Sequence, residues 1–166
     1  MWPFDRRPKI RTSDFIERET SKVFAPSYAD SLREIFYQAG FHDVADVDIV
    51  AFRFWMTIAG ASFAKIPDNV QRGLWHRVYE EAERRHGRTW RATLEEAIIE
   101  YFRLTSKDMD RTSSNQFLPE TMTFALNRLV GKSDESVVAL RVALLTIVHG
   151  IIKSETAFFR DIRLVS

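Results

Sequence analysis

Two segments of the chain are nearly alike, and each combines an apolar surface on all sides with a single arginine. Residues 49–60 read Ile-Val-Ala-Phe-Arg-Phe-Trp-Met-Thr-Ile-Ala-Gly, and residues 137–150 read Val-Val-Ala-Leu-Arg-Val-Ala-Leu-Leu-Thr-Ile-Val-His-Gly. A helix that is apolar all round must be enclosed by protein or by lipid, and an arginine enclosed with it must find an anion or reach water. The sequence therefore predicts two central hydrophobic helices, over about residues 46–65 and 134–154.

Neither segment is expected to span a membrane. Each apolar run of 16 residues is about 24 Å long at about 1.5 Å per residue, which is shorter than a hydrocarbon core of about 30 Å. An arginine near the middle would add about 2.5–3.5 kcal/mol to the free energy of insertion. We therefore expect both helices at the centre of a water-soluble bundle.

Helix start and stop signals recur along the chain, whereas no hairpin signature is present. The signals predict an all-α fold, a single-domain bundle or orthogonal array of six to seven helices spanning residues 12–166. The predicted helices cover about residues 14–25, 27–39, 46–65, 67–86, 93–106, 119–130 and 134–154. Asp46 or Asp48 is expected to cap the third, a Thr93 and Glu96 capping box to start the fifth, and residues 133–135 to cap the last. Residues 106–118 form the best predicted loop.

Residues 1–11 are expected to form a basic and aromatic N-terminal tail. No apolar stretch of signal-peptide length follows its basic residues, and a cytoplasmic location is the default expectation. A weak peripheral contact with a membrane surface is the alternative to a solvated end.

Arg53 and Arg141 have two interpretations. Each can pair with a carboxylate such as Asp46, Glu96 or Glu100, or extend to the surface. Alternatively, the two guanidinium groups converge on one phosphate or carboxylate ligand, with His149 as a third candidate ligand-binding residue. Their separation decides between these interpretations.

A metal site is the second candidate. Glu83 and His86 share a helix face at the spacing used by carboxylate-bridged di-iron bundles. A second histidine of this kind is missing, and the neighbouring glutamates and arginines are equally typical of a solvated, salt-bridged face. The chain has no cysteine and its four histidines are scattered, so no catalytic set is recognisable and no cofactor is expected.

A third candidate is a basic surface for a protein partner. Residues 72–91 contain six arginines against three glutamates, and Arg77, Arg84, Arg85 and Trp90 are the candidate partner-binding residues. The alternative is again a solvated face with mixed charges.

One resemblance bears on nucleic acid. Residues 32–41, Leu-Arg-Glu-Ile-Phe-Tyr-Gln-Ala-Gly-Phe, resemble the start of TetR-type regulators, in which such a helix precedes the helix-turn-helix. The chain then departs from that pattern, because apolar residues follow where a polar recognition helix belongs. Residues 27–67 also carry three basic and five acidic side chains, the wrong sign for binding phosphates, and no nucleic-acid partner is expected.

The segments 26–66 and 119–154 share one plan, a helix with a proline near its start and a glycine at its end, followed by an apolar helix. A duplication and convergence on common helix signals both explain this.

These observations favour a non-enzymatic interaction module of regulatory, adaptor or inhibitor type, which binds another protein or a second copy of itself. The alternative is a helical protein that binds a small anion through Arg53 and Arg141, or a metal through Glu83 and His86. A DNA-binding regulator is a further alternative.

Overall fold

The computed structural model describes residues 7–111, 119–131 and 138–165. These residues form an all-α protein with one short two-stranded sheet, so the predicted fold class is confirmed. In chain order the elements are β1 (Lys9–Arg11), α1 (Thr12–Val23), α2 (Pro26–Gln38), α3 (Asp46–Phe63), α4 (Asp68–His86), α5 (Arg88–Arg111), α6 (Pro119–Val130), α7 (Val138–Arg160) and β2 (Arg163–Val165).

Helix α3 occupies the centre of the fold, as its apolar sequence predicts. Every residue from Asp48 to Ile58 is buried, and the helix packs against α1, α2, α5, α6 and α7. The predicted aspartate caps are wrong. The N-cap residue is Ala45, without a side-chain cap, and Asp48 instead accepts a hydrogen bond of 2.6 Å from Arg128 on α6.

Helix α7 is buried along one face only, which corrects the prediction of two enclosed helices. Its buried side chains are Leu140, Leu144, Val148, Glu155 and Phe159. The opposite face is open, with Val138 55% and Val142 60% exposed. Helix α7 thus packs against the enclosed α3 from the outer layer of the bundle. The predicted cap at residues 133–135 lies outside the described residues.

By length and composition α7 is also the one helix, among the described residues, that could cross a membrane. Its most apolar window is 28% buried within the protein.

Helix α5 is longer than predicted at both ends. It begins at Arg88, and the hydroxyl of Thr93 donates to the carbonyl of Thr89 within the helix, so the predicted capping box is not formed. The helix also continues to Arg111, into the predicted loop, whose residues 112–118 lie outside the described part of the chain.

Asp108, one of the polar residues behind the loop prediction, caps the start of α6. The carboxylate of Asp108 is buried and accepts the backbone N–H groups of Glu120 and Thr121, at 3.1 and 2.8 Å. These N–H groups belong to the first turn of α6, where no helical partner exists for them. Asp108 thus caps α6 from a different helix.

The two strands are not predicted by the sequence pattern. β1 pairs in parallel with β2, with Lys9, Ile10 and Arg11 opposite Arg163, Leu164 and Val165. A small second core lies beneath this pair, formed by Phe15, Ala61, Ile66, Val70, Phe159 and Ile162. Residues 9–11, which the sequence assigned to an N-terminal tail, therefore form a strand that pairs with residues 163–165.

Candidate functional site

Arg53 is neutralised inside the protein by Glu155. The two side chains are 8% and 7% exposed, and Arg53 Nη2 donates to Glu155 Oε1. The guanidinium also lies over the ring of Tyr28, 4.8 Å from its centroid. Burial raises the pKa of the Tyr28 hydroxyl, against the opposing effect of Arg53, so this phenol stays protonated beside the pair.

Arg141 has separate surroundings. Its Nη2 donates to the hydroxyl of Thr123 on α6 at 2.7 Å. Arg141 precedes Glu155 by fourteen positions on α7, which is about 21 Å along the helix axis. His149 lies on the exposed face of the same helix. The structure therefore does not bring Arg53, Arg141 and His149 to one place.

Glu83 and His86 are each engaged with other groups. Glu83 accepts hydrogen bonds from Arg88 at 3.1 Å and Arg91 at 2.6 Å, which lower the pKa of its carboxyl. The His86 ring stacks on Trp90 at 4.3 Å. Among the described residues there is no group of three or more His, Asp or Glu placed to hold a metal.

The four candidate partner-binding residues divide into two sets. Arg77 lies apart from the others and pairs with Glu17 on α1 at 2.7 Å. Arg84 and Arg85 both bind Glu81, at 2.6 and 2.5 Å. Glu81 is buried, and its hydrogen bonds, that of Arg84 above all, lower the pKa of its carboxyl to about 2.

Arg85, His86 and Trp90 meet at a cleft of about 200 Å³, which we call the Trp90 cleft. Its walls are apolar, from Val23, Phe24, Ala25, Pro26, Ala29, Ile49, Val50 and Trp90. Its polar side chains are Arg33, Asp46, Arg85 and His86.

Local sequence explains how the cleft is built. Gly87 has a φ of +88°, a conformation that other residues adopt only with strain, and it allows α5 to begin directly after α4. The last turn of α4 and the first turn of α5 therefore place His86 and Trp90 side by side. Pro26 begins α2 after a link of only two residues from the end of α1 at Val23, and Phe24 in this link packs against Trp90, 6.4 Å away between ring centroids.

The surface beside the cleft is basic. At the junction of α4 and α5, four arginines (Arg84, Arg85, Arg88 and Arg91) stand against Glu81 and Glu83, for a net charge of +2. Arg85 is the arginine of this set that lines the cleft, and its guanidinium lies 5.0 Å from the centroid of the Phe24 ring. The arrangement can hold an apolar group and an adjacent anion together.

Sequence reasoning singled out Arg85, His86 and Trp90, but assigned them to different kinds of site. It missed Phe24, Ile49 and Arg33, which come from three other parts of the chain. The periodicity of each helix indicates a buried face and carries no signal for a gap between helices.

The comparisons with known proteins give no relative. No protein-family model matches the sequence, and neither a curated protein nor a solved structure is detectably similar to the chain. Function must therefore be argued from the site itself.

Proposed function

We propose that this protein is a non-enzymatic interaction module, which binds a partner protein through one apolar anchor side chain flanked by acidic residues. The observation that supports this proposal is the Trp90 cleft, an apolar recess bordered by a basic surface. Binding energy in protein interfaces is concentrated in a few anchors that fill such recesses.

The size of the cleft favours a side chain over a whole small molecule. Its volume of about 200 Å³ is below the range of roughly 300–1,000 Å³ that is usual for small-molecule sites. Phe24 and Trp90 supply broad aromatic walls for an apolar group. The arginines at the junction of α4 and α5 favour a segment with negative charge, whose approach they also accelerate.

The alternative functions have less support from the geometry. Arg53 is paired with Glu155, which lies about 21 Å along α7 from Arg141, so the two arginines are too far apart to share a small anion. Glu83 and His86 are engaged with Arg88, Arg91 and Trp90, which leaves metal binding a weaker proposal.

Selection of peptides on the intact protein tests the proposal. A phage-displayed library of random dodecapeptides should yield a consensus with one large apolar residue next to Asp or Glu. The reversal Arg85→Glu should weaken binding of the selected peptides by about tenfold, a usual effect of opposing charges at an interface. Arg84 remains to pair with Glu81 in this variant.

The matched control is Arg103→Glu. Arg103 is exposed on α5 and pairs with Glu100 much as Arg85 pairs with Glu81, but it does not line the cleft. This variant should bind the selected peptides as the wild type does. Failure to enrich any peptide, or peptides that bind Arg85→Glu as well as wild type, would contradict the proposal.

Self-association is a second candidate function, and the open face of α7 favours it. Val138, Ala139, Val142 and Thr146 form an exposed strip without a charge, which a second copy of the chain can cover. An antiparallel pair of α7 helices centred on Thr146 would place Val142 opposite Gly150 of the other copy. It would also keep the two Lys153 side chains about 21 Å apart, whereas a parallel pair would bring them together.

A further inference from the structure

A second cleft lies next to the Trp90 cleft on the same helix, α2. It has a volume of about 230 Å³ and is lined by Asp30, Arg33, Glu34, Tyr37, Phe41, His42 and Val44. We call it the Tyr37 cleft. Tyr37 is 62% exposed, and its ring meets that of His42 edge-on at 4.6 Å. A tyrosine this exposed contributes little to the core, which leaves its ring accessible to a ligand.

The two clefts are adjacent along α2, and we refer to them together as the groove. Arg33 lines both of them, and its side chain pairs with Asp46 on the first side and with Asp30 at 3.3 Å on the second. The ion-paired side chain of Arg33 therefore lies where the two clefts adjoin. Ala29 in the first cleft and Tyr37 in the second are eight positions apart on α2, or about 12 Å. About four residues of extended chain span that distance.

Charge changes sign along this groove. The Trp90 cleft adjoins four arginines and two glutamates at the junction of α4 and α5. Among the charged side chains that line the clefts, Arg33 and Arg85 outnumber Asp46 in the Trp90 cleft, whereas Asp30 and Glu34 outnumber Arg33 in the Tyr37 cleft. A cation held over a tyrosine ring near carboxylates is stabilised by both.

We propose that the groove binds one extended segment of the partner protein, with its apolar and acidic residues at the Trp90 cleft and a lysine or arginine at the Tyr37 cleft. The charge reversal defines the occupant, a segment whose acidic and basic ends are separated by about four residues. This inference rests on the proposed function and adds the second half of the recognition motif.

Synthetic peptides test the charge order directly. The probe is the fluorescein-labelled peptide Glu-Glu-Phe-Ala-Ala-Ala-Lys amide, used together with its reversed sequence because the groove does not set the chain direction. Binding to the full-length protein is measured by fluorescence anisotropy. Replacing the lysine of the probe by glutamate should weaken binding by about tenfold, because an attraction to Tyr37, Asp30 and Glu34 becomes a repulsion.

A compensating variant makes the assignment specific to this site. Glu34→Lys should reverse the preference, so that the glutamate-ended peptide binds more tightly than the lysine-ended one. Glu34 is exposed and its side chain is hydrogen-bonded by Gln38 alone among the described contacts, so folding should be preserved. Glu96→Lys, an equal charge change at an exposed position of α5, should leave the preference unchanged.

The outcomes separate the two proposals. In one outcome the lysine-ended and glutamate-ended peptides bind equally well, Arg85→Glu weakens their binding, and Glu34→Lys has no effect. This result would overturn the two-ended groove and leave the proposed function standing. If neither the probe peptide nor its reversed sequence binds, the proposed combination of an apolar anchor with a lysine is wrong. The proposed function is then tested separately by the library selection.

Discussion

Arg53 on α3 and Glu155 on α7 are 8% and 7% exposed, and each is the other's ion-pair partner. Taking two charges out of water is costly, and the attraction between them offsets this cost only while both are present. The ion pair therefore adds little net stability to the contact of α3 with α7. Its main effect is to destabilise any arrangement of the helices that separates the two charges.

Substitutions at this pair should be strongly non-additive. We expect Arg53→Met and Glu155→Leu each to lower the free energy of unfolding by about 3–5 kcal/mol, because each leaves an unpaired buried charge. The double variant should cost less than either single change, since it removes both charges and keeps the volume. Urea denaturation followed by circular dichroism measures the three values, and costs that add within about 0.5 kcal/mol would show that the charges are not coupled.

At the scale of the element, small residues decide how closely α7 approaches α3. The sequence places Ala59, Gly60 and Ala61 near the end of α3 and Ala64 just after it, which predicts a close neighbour. The neighbour is α7, and a Cβ atom at Gly60 would lie 2.7 Å from the Cβ of Glu155. Gly150 on α7 is the opposite case, because a Cβ atom there would meet nothing within 4 Å.

The same substitution at these two glycines should therefore have opposite effects. Gly60→Ala should lower the free energy of unfolding by about 1–3 kcal/mol, because α7 must move away from α3. Gly150→Ala should raise it by up to about 1 kcal/mol, since alanine favours the helix and has room. Thermal and urea denaturation of the two variants test this. Equal effects of the same sign would show that the close approach at Gly60 does not hold in solution.

At the scale of the whole molecule, the described elements are arranged around a single enclosed helix. α3 is surrounded, the parallel pair of β1 and β2 joins two distant parts of the chain, and α7 forms part of the outer layer. The two hairpins of similar plan, 26–66 and 119–154, thus contribute unequally to the core. Their outer surfaces differ as well, with the groove on α2 and the apolar strip on α7.

The apolar strip on α7 should cause concentration-dependent self-association. We expect sedimentation velocity from about 1 to 100 µM to show a weak monomer–dimer equilibrium, because one helix face buries less area than a stable interface needs. Val142→Lys should keep the protein monomeric. Ile99→Lys is the control, since Ile99 on α5 is similarly exposed at 55% but has Glu95, Glu96 and Glu100 beside it. A wild-type protein that stays monomeric throughout would remove this candidate function.

The sequence by itself determined the helices, their proline and glycine boundaries at Pro26, Gly87, Pro119 and Gly131, and the enclosure of α3. These features depend on residues within a few turns of each other, where periodicity and backbone preference act directly. The same local reasoning failed at Thr93, where a longer helix replaces the predicted cap. It also failed at Asp108, which was assigned to a loop but lies in α5 and caps α6 through a tertiary contact.

Only the tertiary structure decided which of the two apolar helices is enclosed, that Glu155 neutralises Arg53, and that β1 pairs with β2. It also decided the groove, whose walls come from the junction of α1 and α2, from α3, and from the junction of α4 and α5. Each of these features depends on helices packing at one distance and angle out of many that their apolar faces allow. Local sequence specifies the faces, and the sum of contacts across the whole chain selects the arrangement.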